Sequence, residues 1–391
     1  MKKVFYLYIF FYFLLLSYLA LTLSISPKEA LIFYKEKSLL HYIVNLSTTL
    51  FGKNGFGLKV FFISLNIINI FLLFNLSLKK LKKAEDALLA AIIFSLLPGF
   101  ISSSLVVTKV SIIIFFTLLF LNLPKKSAIF LFPIMLLIDR SFAIFFLGIF
   151  FYSVYKKDRF MMILSLIFFT LSMYIFGFDV KGKPKNFFLD TFGVYSAIFS
   201  PLVFIYFFYV LYRVLVKGKK EIVWFISFVS FIFSLLLSFR QRISFEDFAP
   251  FVLIGVIIMV KEFLSSYRVR LPEFRKRYKT IFLIVIGSLI LNDMVLIFNK
   301  NLYFILKDPK KHFAYNFHIS KELASRLKKD RIFCVKTDNK ALQYQLKFYD
   351  IKRCNDYILT DFRVDETSKK VSIFYKNILL KNYYVSKINN K

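Results

Sequence analysis

The chain of 391 residues is 58% hydrophobic and 20% charged, with a mean hydropathy of +0.64 and a net charge of +32. Soluble domains are usually about 45–50% apolar, so this composition excludes an ordinary soluble protein and indicates a membrane protein. The positive charge does not indicate a nucleic-acid-binding protein, because the basic residues stand in short runs between apolar blocks and a binding face needs them gathered on one surface.

The first apolar segment runs from Val4 to Ser24, directly after Met1-Lys2-Lys3. It has about 20 residues, whereas the apolar core of a secretory signal peptide has about 7–15, and no small-x-small cleavage site follows it. The sequence therefore predicts a retained transmembrane helix.

Five stretches are predicted to cross the membrane singly, because a transmembrane helix needs about 20 mostly apolar residues. They are Val4 to Ser24, Phe61 to Leu78, Phe160 to Phe178, Thr191 to Tyr212 and Ile281 to Asn299.

Three further apolar blocks are too long for one helix or carry charge at mid-length, so each is predicted to be a helical hairpin with the charge at its tip. They are Ala87 to Leu123 around Lys109, Ser127 to Tyr155 around Asp139-Arg140, and Ile222 to Val260 around Arg240 to Asp247. The middle block leaves about 14 residues for each arm, which suits only a hairpin that is partly inserted or buried in protein.

The predicted total is about 11 spans, an odd number, so the termini are expected on opposite faces. One set of short loops holds 22 basic residues and the other holds 12, and short cytoplasmic loops carry the excess of Lys and Arg. The sequence therefore predicts a multi-pass protein of the bacterial inner membrane, with a cytoplasmic amino terminus and a periplasmic tail from Lys300 onward.

The tail, 300–391, is predicted to be a small α/β domain that follows a transmembrane domain, 1–299. Its apolar pattern predicts a helix over Lys321 to Lys329, a strand over Arg331 to Lys336, a helix over Lys340 to Tyr349 and a strand that begins at Ile351. This alternation favours parallel strands.

Cys334 and Cys354 fall in these two strands and form a candidate disulfide if the tail lies in an oxidising compartment. His312 and His318 lie six residues apart, and no metal site is predicted there. No Gly-rich phosphate loop is present in the tail.

Short motifs in the first outward loop and the following spans carry a family resemblance. They are Ser26-Pro27-Lys28-Glu29-Ala30, His41 to Leu50, Phe51-Gly52, Phe56-Gly57-Leu58-Lys59, Ala87 to Ala91 and Leu97-Pro98-Gly99-Phe100, with Glu322-Leu323-Ala324 and Gln345 to Tyr349 in the tail. In order and spacing the chain resembles the membrane-embedded glycosyltransferases of the GT-C class, which include protein mannosyltransferases and lipid A aminoarabinose transferases. The resemblance implies a polytopic α-helical fold and transfer of a sugar from a polyprenyl-phosphate carrier to an outward-facing lipid or glycan acceptor.

The sequence departs from the family pattern at two positions. Lys28 replaces the first Asp of the outward loop, and Lys109, in Thr108-Lys109-Val110, replaces the Asp of a later loop. These changes reverse the local charge, so no metal and no cofactor is predicted.

Transfer from a polyprenyl phosphate requires one carboxylate as general base for the acceptor hydroxyl, and cations that stabilise the departing phosphate. Glu29 is the candidate base, because it follows directly after a span. The alternative interpretation of Glu29 is a solvated loop carboxylate paired with Lys28.

The remaining charged residues have two interpretations each. Asp139 and Arg140 form either a functional pair at membrane depth or a structural ion pair at a turn. Arg240 and Arg242 either contact the carrier phosphate or anchor the chain at the interface. Lys28, Lys109 and Arg140 are predicted to add weaker cationic contacts to the phosphate. The alternative for Lys109 is a side chain that snorkels at a helix end.

Three function classes remain open at this point: a glycosyltransferase with a membrane-lipid donor, a catalytically inactive GT-C-like protein that serves in assembly or binding, and a transporter or flippase. The two Asp-to-Lys departures favour the second class. A transporter is expected to carry charges along the interiors of its spans and paired inverted halves, whereas most strong charges here lie at span ends.

Overall fold

The computed structural model describes residues 2–177, 184–363 and 368–387, most of which are helical. The longer helices in chain order are α1 (Lys2–Thr22), α2 (Pro27–Tyr34), α3 (Leu39–Phe51), α4 (Gly55–Lys80), α5 (Ala84–Ser95), α6 (Pro98–Leu105), α7 (Val110–Asn122), α8 (Lys125–Ala128), α9 (Leu131–Ile138), α10 (Phe142–Lys156), α11 (Arg159–Phe176), α12 (Phe188–Phe199), α13 (Pro201–Lys217), α14 (Ile222–Ser238), α15 (Phe245–Leu253), α16 (Val256–Val269), α17 (Pro272–Ile297), α18 (Ser320–Lys329) and α19 (Lys340–Phe348).

Among the described residues, five helical segments are long and apolar enough to cross a membrane. They are Lys3–Thr22, Gly55–Lys80, Arg159–Phe176, Phe245–Val269 and Pro272–Ile297. Two bent helix pairs raise the number to seven if each pair is one span, and four shorter apolar helices accompany them. The chain is a multi-pass helical membrane protein.

Four of the five predicted single spans are confirmed as helices, namely α1, α4, α11 and α17. The fifth, Thr191 to Tyr212, is wrong as one straight helix, because α12 and α13 meet at an angle of 108°. The bend lies at Ser200, which has a φ of +75° and precedes Pro201. Proline disfavours helical geometry at the residue before it, and this explains the break.

In each of the three predicted hairpins, the helices are interrupted at the charged residues. Lys109 lies immediately before α7, Asp139 and Arg140 lie between α9 and α10, and residues 239–244 separate α14 from α15. The arms differ from the expected lengths, since α9 has 8 residues and α10 has 15. In the first hairpin, α5 and α6 are bent by 60° before Pro98.

The described chain forms two compact units. Unit 1 comprises Met1–Phe13 and Phe62–Asp293, and unit 2 comprises Leu14–Phe61 and Met294–Lys391. The predicted boundary at residue 299 stays a prediction.

Aromatic side chains dominate one core of unit 1. The rings of Phe120 and Phe145 meet edge to face with centroids 5.0 Å apart, and Phe132 and Phe146 pack beside them. Hydroxyl groups join α14 to α15, where Ser227 Oγ donates to a backbone carbonyl at 2.9 Å. Such hydrogen bonds between helices compensate polar groups in an apolar environment.

The carboxyl-terminal part of unit 2 contains an antiparallel sheet. Its strands are β1 (Tyr357–Thr360), β2 (Lys369–Tyr375) and β3 (Ile378–Lys387), in the order β1-β3-β2. Helices α18 and α19 confirm the two predicted helices to within a residue at each end. A core of apolar residues from these helices and the strands fills the space between them.

The prediction of parallel strands is wrong, as the sheet topology shows. Residues 331–336 form only two isolated parallel bridges, Cys334 with Lys352 and Lys336 with Ile358, and the regular ladders are antiparallel. The β2–β3 hairpin was missed, although Val371 and Ile373 alternate with polar residues before the two-residue connection at Lys376.

Cys334 and Cys354 form a disulfide, with their Cα atoms 5.5 Å apart. The bond is possible because the parallel bridge from Cys334 to Lys352 places Cys354 on a neighbouring segment. The candidate disulfide is therefore confirmed.

Removing this bond by the double change Cys334→Ser and Cys354→Ser should destabilise unit 2 by about 3 kcal/mol, because the bond closes a loop of 20 residues. Thiol labelling of denatured, unreduced protein should modify neither cysteine, whereas the Cys354→Ser control should expose one reactive thiol. Labelling of both cysteines without reduction would contradict the bond.

Candidate functional site

Lys109 in unit 1 contacts two carboxylates. Its Nζ donates to Asp139 Oδ1 at 2.8 Å and to Oδ2 at 3.0 Å, and it lies 2.5 Å from Asp247 Oδ1. The three side chains are only 12–20% exposed. Lys109 is therefore an ion-paired residue that binds two acids, and its predicted contact with a phosphate stays a prediction.

Arg140 and Ser141 complete this group, which we call the Lys109 cluster (Lys109, Asp139, Arg140, Ser141 and Asp247). Arg140 Nη2 lies 3.3 Å from Asp247 Oδ2. The backbone N–H of Ser141 donates to Asp139 Oδ1 at 2.8 Å, and its hydroxyl contacts both carboxylates. Two cations and two anions offset one another, so the cluster has no formal net charge.

The cluster forms because its members lie at helix breaks. Lys109 precedes α7, Asp139 to Ser141 connect α9 to α10, and Asp247 lies in the first turn of α15. The contacts of α7 with α15 and α9 bring these ends together. Three predicted site residues, Lys109, Asp139 and Arg140, thus share one site in unit 1.

Arg240 and Arg242 lie in the connection between α14 and α15, and both are exposed. The backbone carbonyl of Arg240 accepts a hydrogen bond from the N–H of Lys185 at 3.0 Å. No ion pair involves either arginine within residues 2–177, 184–363 and 368–387. Their predicted contact with a carrier phosphate stays a prediction.

Glu29 in unit 2 is almost fully buried, with 1% of its surface exposed. It lies in the first turn of α2, where its Oε2 accepts the backbone N–H of Ser26 at 2.8 Å and Ser26 Oγ accepts the N–H of Glu29 at 3.2 Å. This reciprocal arrangement is a capping box, which stabilises the start of a helix. The interpretation of Glu29 as a solvated loop carboxylate is wrong; the predicted catalytic role of Glu29 and the predicted contact of Lys28, in the same turn, stay predictions.

Unit 2 contains another buried ionisable residue besides Glu29, namely Lys59, the fifth residue of α4. Its side chain is fully buried, and Nζ has no hydrogen-bond partner among the described residues. It interacts electrostatically with Glu29, and Nζ lies 5.9 Å from the centre of the Phe317 ring. A buried ammonium without a hydrogen-bond acceptor is costly, so this position is a candidate for binding an anionic group.

Residues from the tail hold the segment before α2 in place. The hydroxyl of Tyr349 accepts the N–H of Ile25 at 3.0 Å, and Gln345 Nε2 donates to the carbonyl of Ile25 at 2.7 Å. Burial raises the pKa of Tyr349 to about 12, so its hydroxyl stays protonated at neutral pH. These bonds fix the start of α2 and hence the position of Glu29.

Two histidines of the tail are occupied by local contacts. His312 Nε2 lies 2.8 Å from the carbonyl of Asn299, and its Nδ1 accepts the N–H of Ala314 at 2.9 Å. His318 Nδ1 lies 2.9 Å from the Tyr303 hydroxyl, and burial, with nearby Lys300 and His312, lowers the pKa of His318 to about 3. In each ring at least one nitrogen is therefore in a local hydrogen bond.

Three residues with functional features were absent from the predicted site. In the sequence, Lys59 is recognisable as a charged residue at the entrance of a span, and Asp247 is recognisable by its position at the tip of a predicted hairpin. Asp293 lies inside α17 with 4% exposure, and neither carboxylate oxygen has a hydrogen-bond partner among the described residues. An acid within a transmembrane span is itself a signal.

No protein-family model and no curated protein sequence matches this chain. The resemblance to GT-C enzymes therefore rests on the motifs quoted from the sequence, and the family is a proposal.

Proposed function

We propose that the protein is an integral-membrane glycosyltransferase of the GT-C type, which moves a sugar from a polyprenyl-phosphate carrier to an outward-facing lipid or glycan acceptor. The observation that supports this proposal best is that Glu29 and Lys59, both buried in unit 2, interact electrostatically. A base and a cation are the two groups that the reaction requires.

In the proposed reaction, Glu29 takes the proton of the acceptor hydroxyl while the acceptor oxygen attacks the anomeric carbon of the donor. The bond from that carbon to the phosphate oxygen breaks, and the polyprenyl phosphate leaves with the electron pair. Lys59 stabilises the charge that develops on the phosphate.

The other predicted phosphate contacts, except Lys28, lie in unit 1, and the reaction proposed for unit 2 does not use them. Arg240 and Arg242 are exposed bases suited to a phosphate, and Arg140 is partly exposed. Lys109 has its charge offset by Asp139 and Asp247, so we assign it to the structure of unit 1.

An inactive assembly or binding protein is the second candidate function. Two observations favour it: the capping box gives Glu29 a structural role, and the Lys109 cluster is neutral where the related enzymes carry an acid. In this alternative the chain keeps the GT-C shape and transfers no sugar.

The test is a comparison of lipid and envelope-glycan masses between wild-type and deletion cells. We expect the deletion strain to lose one sugar from one lipid or glycan, and the gene supplied in trans to restore it. Identical mass profiles in the two strains would refute the glycosyltransferase and favour the inactive alternative.

The proposed topology places the amino terminus inside and the carboxyl terminus outside, with 11 spans. This count includes α9, whose 8 residues extend only about 12 Å at 1.5 Å per residue, less than the roughly 30 Å of a bilayer core. Alkaline phosphatase fused after Lys391 should be active. Activity of a reporter that works only in the cytoplasm would contradict the topology and indicate that α9 does not cross.

A further inference from the structure

An apolar crevice opens in unit 1 beside α17, with α5, α13 and α16 as its other walls. Its cavity volume is about 80 Å³, and its twelve lining residues are aliphatic or aromatic, among them Tyr206, Phe263, Tyr278 and Phe282. Along α17 the lining runs from Tyr278 to Ile286, about 12 Å at 1.5 Å per residue. This length covers most of one half of a bilayer core, which is about 15 Å thick.

Basic residues surround the end of the crevice at Tyr278. The segment from Lys261 to Lys279 has seven basic residues and two acids. Some of the bases have local partners, since Arg268 binds Asp86 at 2.5 Å and Arg275 donates to the carbonyl of Arg270 at 2.8 Å.

Other bases of this segment remain available. Lys276, Arg277 and Lys279 are exposed, and no ion pair joins them to the part of the chain that the structure describes.

Arg270 connects the bases to the crevice. Its guanidinium carbon lies 3.6 Å from the centre of the Tyr278 ring, and its terminal nitrogen donates to the Tyr278 hydroxyl. The Nε of Arg270 is buried and has no hydrogen-bond partner among the described residues. The buried and positively charged guanidinium nitrogen Nε of Arg270 thus belongs to a side chain that packs on Tyr278, where the apolar lining along α17 begins.

Apolar side chains beside the bases indicate that this connection lies at a membrane surface. Val269 is 88% exposed, and Leu271 and Phe274 are also largely exposed. Alternation of basic and exposed apolar side chains is typical of segments at the boundary between headgroups and acyl chains.

We infer that this crevice binds one acyl chain of an anionic membrane phospholipid, whose phosphate contacts Arg270 and the exposed bases next to it. The apolar lining matches a hydrocarbon chain, and the exposed bases Lys276, Arg277 and Lys279 match an anionic headgroup. The site lies entirely in unit 1 and does not depend on the proposed transferase reaction.

The test is native mass spectrometry of the full-length protein in detergent with an equimolar mixture of phosphatidylglycerol and phosphatidylcholine. We expect preferential retention of one phosphatidylglycerol. The double change Arg270→Gln and Arg277→Gln should weaken this retention by roughly thirtyfold, because each base near a membrane surface contributes about 1 kcal/mol.

Two matched controls distinguish a specific lipid-binding site from a general electrostatic attraction to anionic lipids. Lys156→Gln with Lys157→Gln removes the same charge from exposed positions at the end of α10, which does not line the crevice, and should leave retention unchanged. Val285→Trp should fill the crevice and abolish retention, whereas Ile284→Trp, on an exposed neighbour outside the lining, should not.

Three outcomes would overturn the inference. They are equal retention of the two lipids, equal effects of the two double variants, and complete displacement of the lipid by excess inorganic phosphate, which would identify a site for the free anion. Variants are compared only where gel filtration gives one symmetric peak at the wild-type position.

Discussion

Replacing Glu29 with Gln should reduce sugar transfer by about 10²–10⁴-fold, the usual contribution of a general base. The amide oxygen of Gln still accepts the N–H of Ser26, so the capping contact at 2.8 Å is retained and the protein should insert and fold normally. The readout is the mass of the affected lipid or glycan in deletion cells that carry the variant gene.

Ser26→Ala is the matched control for Glu29→Gln. It removes the hydroxyl that caps α2 and should cost about 1 kcal/mol of stability, while the carboxylate of Glu29 remains. Transfer should therefore persist in this variant. Restoration of normal glycan masses by Glu29→Gln would exclude Glu29 as the base, and loss of transfer in Ser26→Ala alone would indicate that transfer depends on the capped start of α2 and not on the carboxylate.

Lys59→Met tests the second group of the proposed site in the same assay. The change keeps the length of the buried side chain and removes its charge, so transfer should fall while the protein still folds. If Lys59→Met transfers sugar normally, the phosphate is stabilised by other groups and the proposed pairing with Glu29 is wrong.

Replacing Lys109 with Met should destabilise unit 1 by about 3 kcal/mol, because removal of one partner leaves buried carboxylates without compensation. Asp139 and Asp247 are only 20% and 12% exposed in their side chains, and Arg140, which contacts Asp247, would be the remaining cation of the cluster. Thermal denaturation of the purified protein in detergent should show a lower midpoint.

The double variant Lys109→Met with Asp247→Asn should recover part of this loss, because one of the two uncompensated charges is removed as well. Lys125→Met is the control, since the Lys125 side chain is 56% exposed where it pairs with Asp158, and exposed pairs contribute only about 0–1 kcal/mol. Equal midpoints for Lys109→Met and wild type would contradict a structural role of the cluster. Lys109→Asp, which restores the acid of the family pattern, should be worse than Met because it adds a third carboxylate.

The sequence was sufficient for features that depend on neighbouring residues. Long apolar runs predicted α1, α4, α11 and α17, because burying a helix in lipid requires about 20 apolar residues. Charged residues inside apolar blocks correctly predicted where helices end, at Lys109 and at Asp139. A break in the helix allows a charged side chain to avoid an apolar environment.

Features that depend on distant partners could not be predicted in this way. The charge of Lys109 was evident, but its partner Asp139 lies 30 residues away, and Arg140 reaches Asp247 across 107 residues. The pairing of β1 with β3, and not with the strand that follows it, depends on a distant partner in the same way. The β2–β3 hairpin, in contrast, had a local signal in the sequence and was missed despite it.

The sequence by itself determined that this chain is a multi-pass helical membrane protein, because hydropathy and helix length follow directly from residue type and order. Only the tertiary structure decided which charges are buried and what they contact. Glu29 and Lys59 are ordinary ionisable residues in the sequence, and their burial results from packing by segments far along the chain. Charge and burial together determine chemistry, and burial is a property of the fold.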